Sequence, residues 1–202
     1  MESLLEGIQA NINNMTTLEA FGVLFGLLSV WFAKKENILV FPSGIISVLI
    51  YVYLCYQTKL YADMGINAYY FVMSVYGWYV WSRKVDNQHQ TPITTANRSE
   101  WLICLVTFLL SFLILYFSLI SFTDSDIPFW DSLTTALFFV GMWFMAKKKI
   151  ENWIIWIIAD AISVPLYYYK DLQLTSIQYF IFLLIAIAGY ISWKKTLELQ
   201  TG

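Results

Sequence analysis

Asp160 stands eleventh in the apolar stretch Ile150–Tyr169, where an ionised carboxylate costs about 2.5 to 3.5 kcal/mol unless a partner, water or a ligand meets it. No Lys or Arg lies at its depth in that stretch. At helical periodicity Trp153, Trp156, Asp160 and Tyr167 fall on one stripe, with Asn152 at its inner boundary. An earlier stretch repeats the pattern with Asn67, Tyr70, Ser74, Trp78 and Trp81, and a third begins a comparable face at Gln178 that continues through Phe182, Ile185 and Gly189. A carboxylate beside indole faces suits a cation carried on a flat ring. The acid supplies charge pairing, and the rings supply stacking and a cation–π attraction of about 2 kcal/mol when desolvated. That combination disfavours a plain sugar. Packing offers the alternative reading: Ser74, Thr134, Thr135 and Ser163 as hydrogen bonds between helices, Asn67 and Gln178 likewise, Trp78, Trp153 and Trp156 as interfacial belt residues, and Asn152 as a helix cap.

Helices in lipid must position these groups. The chain is 59% hydrophobic and 13% charged over 202 residues, and charge that sparse cannot solvate a globular surface, where about 25% is usual. Runs near the ~20 residues needed to cross a bilayer recur at Leu18–Ala33, Ile38–Gln57, Tyr61–Trp81, Trp101–Phe122, Phe129–Ala146, Ile150–Tyr169 and Thr175–Trp193. They are continuously apolar, which points to helices and not to the alternating strands of a barrel. Met1–Met15 carries Glu2 and Glu6 and lacks a basic start before an apolar block, so no cleavable signal is expected there. The spacing of Leu4, Leu5, Ile8, Ile12 and Met15 predicts a helix over 1–15 lying on the lipid surface.

Ten of the twelve Lys and Arg residues fall on one side of seven spans; only Lys59 and Lys170 fall on the other. Basic loops stay cytoplasmic, which places the N-terminus outside and the C-terminus inside. Trp31, Trp81, Trp101, Trp130, Tyr169 and Trp193 sit at span ends, as belt residues do. Cys55 and Cys104 lie near opposite faces and cannot bridge.

The spans are related to one another. Trp31-Phe32-Ala33-Lys34-Lys35-Glu36-Asn37 resembles Trp143-Phe144-Met145-Ala146-Lys147-Lys148-Lys149 with the following Glu151-Asn152. The segment Gly77–Lys84 resembles Gly189–Lys195. Matching the Ala-Lys-Lys and Glu-Asn pairs gives three spans (18–84), a linker span (101–122) and three more (129–195), a 3+1+3 plan within a single membrane domain over 1–202. An odd linker makes the two bundles parallel about an axis along the membrane normal. The polar stretch Ser82–Glu100 reads as a solvated cytoplasmic loop holding the single histidine, His89. One loop histidine and one mid-span acid do not make a catalytic or metal-binding set, so no enzyme, cofactor or metal is expected, and no nucleic acid partner. Without a phosphate-binding glycine loop or a chain of buried acids and bases, net flow of a solute would follow its gradient by rocking of the bundles.

The motifs Tyr61-Ala62-Asp63, Tyr76–Trp81, Pro128–Ser132 and above all Lys149-Ile150-Glu151-Asn152-Trp153-Ile154-Ile155-Trp156 with Ile162-Ser163-Val164 resemble the PnuC vitamin transporters from about Leu18 to Lys195. The resemblance implies an all-α, seven-helix 3+1+3 fold related to the SWEET transporters. It also implies uptake of nicotinamide riboside by facilitated diffusion, trapping by cytosolic phosphorylation, and a homotrimer in the lipid bilayer. It assigns Trp153 and Trp156 to aromatic contact and Asn152, Asn67 and Gln178 to hydrogen bonds with the small-molecule vitamin. The chain departs from some relatives, which carry Asn at the position of Asp160, and Gln and Glu at those of Asn67 and Gln178. Thiamine, also a cationic ring, is therefore the alternative substrate.

Overall fold

The computed structural model describes residues 15–83 and 91–201; the expected surface helix over 1–15, Met15 apart, and the loop histidine His89 lie outside them. Among the described residues are seven helices, α1 (Thr17–Lys34), α2 (Val40–Gln57), α3 (Tyr61–Trp81), α4 (Arg98–Phe122), α5 (Pro128–Ala146), α6 (Glu151–Tyr169) and α7 (Gln173–Thr201). Five are long and apolar enough to cross a membrane; the two that are not, α3 and α6, carry the polar stripes. Most ends fall within two residues of the expected bounds. The exceptions have local causes. α4 starts early because Asn97 and Glu100 form a capping box, each side chain accepting from the other's backbone N–H. α7 runs on past Trp193 because Lys194–Gln200 contains no helix breaker and Thr196 and Leu197 still find partners.

Four turns end in the same way. Glu36, Lys59, Lys148 and Asp171 adopt left-handed φ of 55, 60, 56 and 57°. At each, two backbone N–H groups fold back onto free carbonyls of the helix end, as Glu36 and Asn37 do onto Ala33 and Phe32. Glycine is the usual residue for this conformation, and its absence costs roughly 1–2 kcal/mol at each turn.

Packing arranges six helices in a closed ring, α1, α2, α3, α5, α6, α7 and back to α1, with α4 outside against α5 alone. The ring closes through two contacts, α3 with α5 and α7 with α1, and these are the same contact twice. Trp81 Nε1 donates to Met145 O at 3.3 Å; Trp193 Nε1 donates to Ala33 O at 3.0 Å. Residue pairs recur at one constant offset, that of Trp193 from Trp81. Phe41 meets Trp81 edge-on at 5.2 Å and its counterpart Trp153 meets Trp193 at 5.4 Å. Gly77 lies against the Phe41 ring, and a methyl added at Gly189 would sit 2.6 Å from the Trp153 ring. This register sets Trp31-Phe32 over Trp143-Phe144, so the Ala-Lys-Lys and Glu-Asn pairs matched in the sequence are not equivalent. Equivalent positions also touch: Trp81 with Trp193 at 5.9 Å, and Glu36 with Lys148 at 3.0 Å.

Two expectations for the lysine-rich end are corrected here. Trp81 and Trp193 are 5% and 0% exposed. They are core residues whose indoles satisfy helix-end carbonyls, whereas Trp31, Trp101, Trp130 and Tyr169 are exposed as belt residues should be. The stretch ending at Glu100 is not wholly a solvated loop either. Ile93 is 1% exposed within the core cluster of Trp81, Met145, Trp153 and Trp193. Thr94 exchanges backbone hydrogen bonds with Lys148 and Ile150, Ala96 N donates to Glu151 Oε1, and Glu100 pairs with Lys149 at 2.9 Å. Residues 91–97 form a strap across the ring's end. Lys148, beneath it, is pushed below the ordinary lysine range by burial, against the opposing pull of the Glu36 carboxylate.

Overpacking typically costs about 1–3 kcal/mol, so Gly189→Ala should lower the thermal midpoint in detergent. Gly65→Ala, with no atom within 4 Å of the new methyl, should raise it, since helix propensity adds up to about 1 kcal/mol of stability. Met145 O and Ala33 O each keep a bond from a turn N–H, so Trp81→Phe and Trp193→Phe should each lose about 0.5–1.5 kcal/mol for the indole bond, and the two losses should be similar in the same melting assay.

Candidate functional site

Opposite the strap, the ring opens into a cavity of about 780 Å³ walled by all six of its helices, within the usual ligand-site range of 300–1,000 Å³. Its lining repeats at the offset that relates the ring contacts: Val23 with Thr135, Cys55 with Tyr167, Asp63 with Thr175, Ile66 with Gln178 and Asn67 with Tyr179. The cavity is therefore lined at corresponding positions from α1–α3 and from α5–α7. Aromatic side chains shape it. Tyr167 and Tyr179 stack at 4.9 Å, Phe138 meets Tyr179 at 5.6 Å, and Tyr70 is wedged against Tyr69 and Phe139. Tyr69 is fixed by donating its hydroxyl to Phe139 O at 2.9 Å, which ties α3 to α5. The charged residues of the lining are Glu19 and Asp63; no Lys or Arg lines the cavity among the described residues.

The residues expected from sequence separate into groups. Asn67, Tyr70 and Gln178 line the cavity, and Asn67 Nδ2 donates to Asp63 O at 2.9 Å. Asp160 is 3% exposed and makes no ion pair or hydrogen bond among the described residues. It is not among the residues lining the cavity; it lies seven residues, about two helical turns, from Tyr167, which is. Asn152 and Trp153 are fully buried closer to the strap. Asn152 Nδ2 donates to Lys149 O at 2.6 Å, as a turn-closing residue would, but its Oδ1 and the Trp153 indole N–H have no partner. Trp156 stands edge-on to Trp153 at 5.5 Å, its ring laid directly on Gly141, where any side chain would displace it.

Two residues fall elsewhere. Ser74 is buried in the packing of α3 on α2, beside Gly44. Trp78 is 42% exposed and absent from the lining. Of the residues read as packing, Thr134 and Thr135 line the cavity, Thr134 while bonding back to Trp130 and Asp131. Tyr51, Cys55, Phe138 and Tyr179 were not singled out by sequence. A correct repeat register would have found Tyr179, as the counterpart of Asn67. Cys55 and Cys104 are both unpaired thiols, as expected.

Residues 16–195 match the family model described as Nicotinamide mononucleotide transporter. The chain belongs to this family, that of the PnuC transporters. It is a family of transporters and not of enzymes, and with several apolar helices the chain is a multi-pass membrane protein. It is 28% identical to the Nicotinamide riboside transporter PnuC of Escherichia coli (strain K12), over 89% of this chain and 86% of that one. It is 22% identical to the Riboflavin/roseoflavin transporter RibM of Streptomyces davaonensis, over 85% of this chain and 82% of that one. The crystal structure of the Vitamin B3 transporter PnuC superposes on 96% of this chain and 88% of its own with a TM-score of 0.71 at 22% identity, which shows a shared fold.

The cavity's direction is directly measurable. With Cys55 and Cys104 replaced by Ser, Asn67→Cys should react quickly with a membrane-impermeant maleimide applied from the face opposite the lysine-rich turns. Trp153→Cys should react an order of magnitude more slowly from either face.

Proposed function

We propose that this chain carries a small aromatic cation, nicotinamide riboside in the first place, into the cell down its concentration gradient. The reading rests on one observation: Asp160 is buried with no cation paired to it among the described residues, on the helix that gives Tyr167 to an aromatic cavity and about two turns from that residue. A buried carboxylate calls for a countercharge, and a pyridinium supplies it on a ring that Trp156 and the cavity tyrosines can stack against. The unpaired Asn152 Oδ1 and Trp153 N–H are then available to polar groups of a ligand that moves deeper. Asn67 and Gln178 offer amides to a ribose higher up. A phosphate would enter a cavity holding two carboxylates and no base among the described residues, which favours the nucleoside over the nucleotide.

The similarity to the E. coli nicotinamide riboside transporter supports this reading. Thiamine is the second reading, because its thiazolium also meets the need for a cationic ring. Riboflavin, named for the Streptomyces relative, is neutral and leaves Asp160 unpaired. The repeated contacts about one axis and the position of α4 outside the ring support a 3+1+3 plan of parallel halves of the SWEET kind. On that plan the halves rock about the central site, and cytosolic phosphorylation of the product keeps it inside. The gathering of ten of the twelve basic residues in alternate connections of the chain supports an inner membrane orientation with the N-terminus outside and the C-terminus cytoplasmic. α4, docked on α5 alone with Leu102, Leu105, Leu109 and Leu113 exposed, leaves a face free for lipid or for neighbouring copies in a trimer.

Uptake of labelled nicotinamide riboside and thiamine into liposomes containing the protein tests this. Nicotinamide riboside should accumulate to equilibrium, unchanged chemically, without an added ion gradient. Asp160→Asn should weaken its apparent affinity about ten- to a hundredfold, corresponding to about 1.5–3 kcal/mol for a charge-assisted contact. Uptake of neither vitamin would refute the proposal, and a loss confined to thiamine would make thiamine the substrate.

A further inference from the structure

The lysine-rich end of the ring is closed by contacts that converge on one ammonium group. Lys148, whose side chain is 2% exposed, sits in the α5–α6 turn with Nζ 3.0 Å from Glu36 Oε2 and 2.7 Å from Thr91 O. The same Nζ stands 4.8 Å from the centre of the Trp81 ring. Glu36, in the α1–α2 turn, takes a second bond from Thr196 Oγ1 of α7 at 3.0 Å. One buried charge therefore joins the turns of both halves, α3, α7 and the strap.

Glu36 and Lys148 are equivalent positions in the two halves, so they face one another near the axis. Identical residues there would meet as like charges, while an acid and a base attract. Both hold left-handed backbone at φ 55 and 56°, a conformation glycine would adopt more cheaply, and neither is glycine. The strap belongs mechanically to the second half. Thr94 and Ala96 bond to Lys148, Ile150 and Glu151, whereas Thr91 Oγ1 bonds to Val80 O of α3 at 2.7 Å. Separating the α5–α6 turn from α1 and α3 would draw the strap, and Ile93 with it, out of the ring. At the other end the ion pair among the described residues, Lys170 with Asp131 at 2.6 Å, joins residues of the second half alone, and the cavity is open there.

We propose that Lys148, Glu36 and the strap 91–97 form a latch that seals the lysine-rich end while the cavity is open opposite, and that breaking it is the step that releases solute on that side. The latch rests on the transport reading above but involves no substrate contact. Removing one partner of a buried pair leaves the other uncompensated, so single substitutions should favour the unlatched state.

The test uses the full chain in liposomes with Cys55 and Cys104 changed to Ser. Ile93→Cys should be alkylated slowly from the lysine-rich side, and adding Lys148→Met or Glu36→Gln should speed that reaction by an order of magnitude. In a separate variant, Glu36→Cys with Lys148→Cys, bridging the two thiols with a short bis-methanethiosulfonate should stop uptake, and reduction should restore it. An unchanged Ile93→Cys rate in both charge variants, or undiminished uptake by the bridged protein, would overturn the latch. The alkylation readout needs no vitamin. Faster alkylation in a protein that takes up neither vitamin would support the latch and refute the substrate reading instead.

Discussion

An indole N–H buried among apolar side chains must find an acceptor, and a helix-end carbonyl can accept a second donor beside its turn N–H. Trp81 and Trp193 each find one across the ring, at Met145 and Ala33, whose carbonyls also take a turn N–H. These two bonds join the helices whose contacts close the ring, α3 to α5 and α7 to α1. Everything above them follows from that closure. α2 and α6 are held apart, each between its own two neighbours, and the space left between them is the cavity. The glycines at 77 and 189 belong to the same joint, since they admit the Phe41 and Trp153 rings that pack edge-on to the two tryptophans.

The frame is doubled, but the candidate site is single. Asp160 corresponds to Val48 and Trp156 to Gly44 in the other half. Where α6 lays an indole on Gly141, α2 closes Gly44 against Ser29, 3.0 Å from where a methyl would be. One half thus packs tightly, and the other provides the charge and the aromatic surface. A ligand on the axis would meet unlike walls, which allows one orientation to be preferred over its reverse. The lysine-rich end shows the same division, with an acid and a base at equivalent positions where a perfect repeat would have placed like residues together.

Part of the site was legible because helical periodicity is local. The stripes through Asn67 and Tyr70, and through Trp153, Trp156 and Asp160, follow from spacing alone, and the lone mid-span acid stood out because its cost in hydrocarbon does not depend on its neighbours. Trp78 shared a stripe with Asn67, yet its indole is exposed. Periodicity gives a direction around a helix but not the element that covers each level of it. Trp81 and Trp193 looked like belt residues because they lie at span ends. Their burial comes from the strap and from side chains across the ring, which position at a span end does not reveal. The cavity tyrosines, Tyr51 and Tyr179, carry no distinctive spacing of their own.

The sequence alone determined the seven helical stretches and their approximate lengths, and the gathering of basic residues in alternate connections. These depend on composition along a segment and on the thickness of a bilayer, quantities that require no knowledge of neighbours. The tertiary structure decided the register of the repeat, the ring order, the seating of Ile93 and its strap, and the meeting of Glu36 with Lys148. Those depend on which distant surfaces come to share a boundary, because a buried polar group is satisfied by whatever stands opposite it in space.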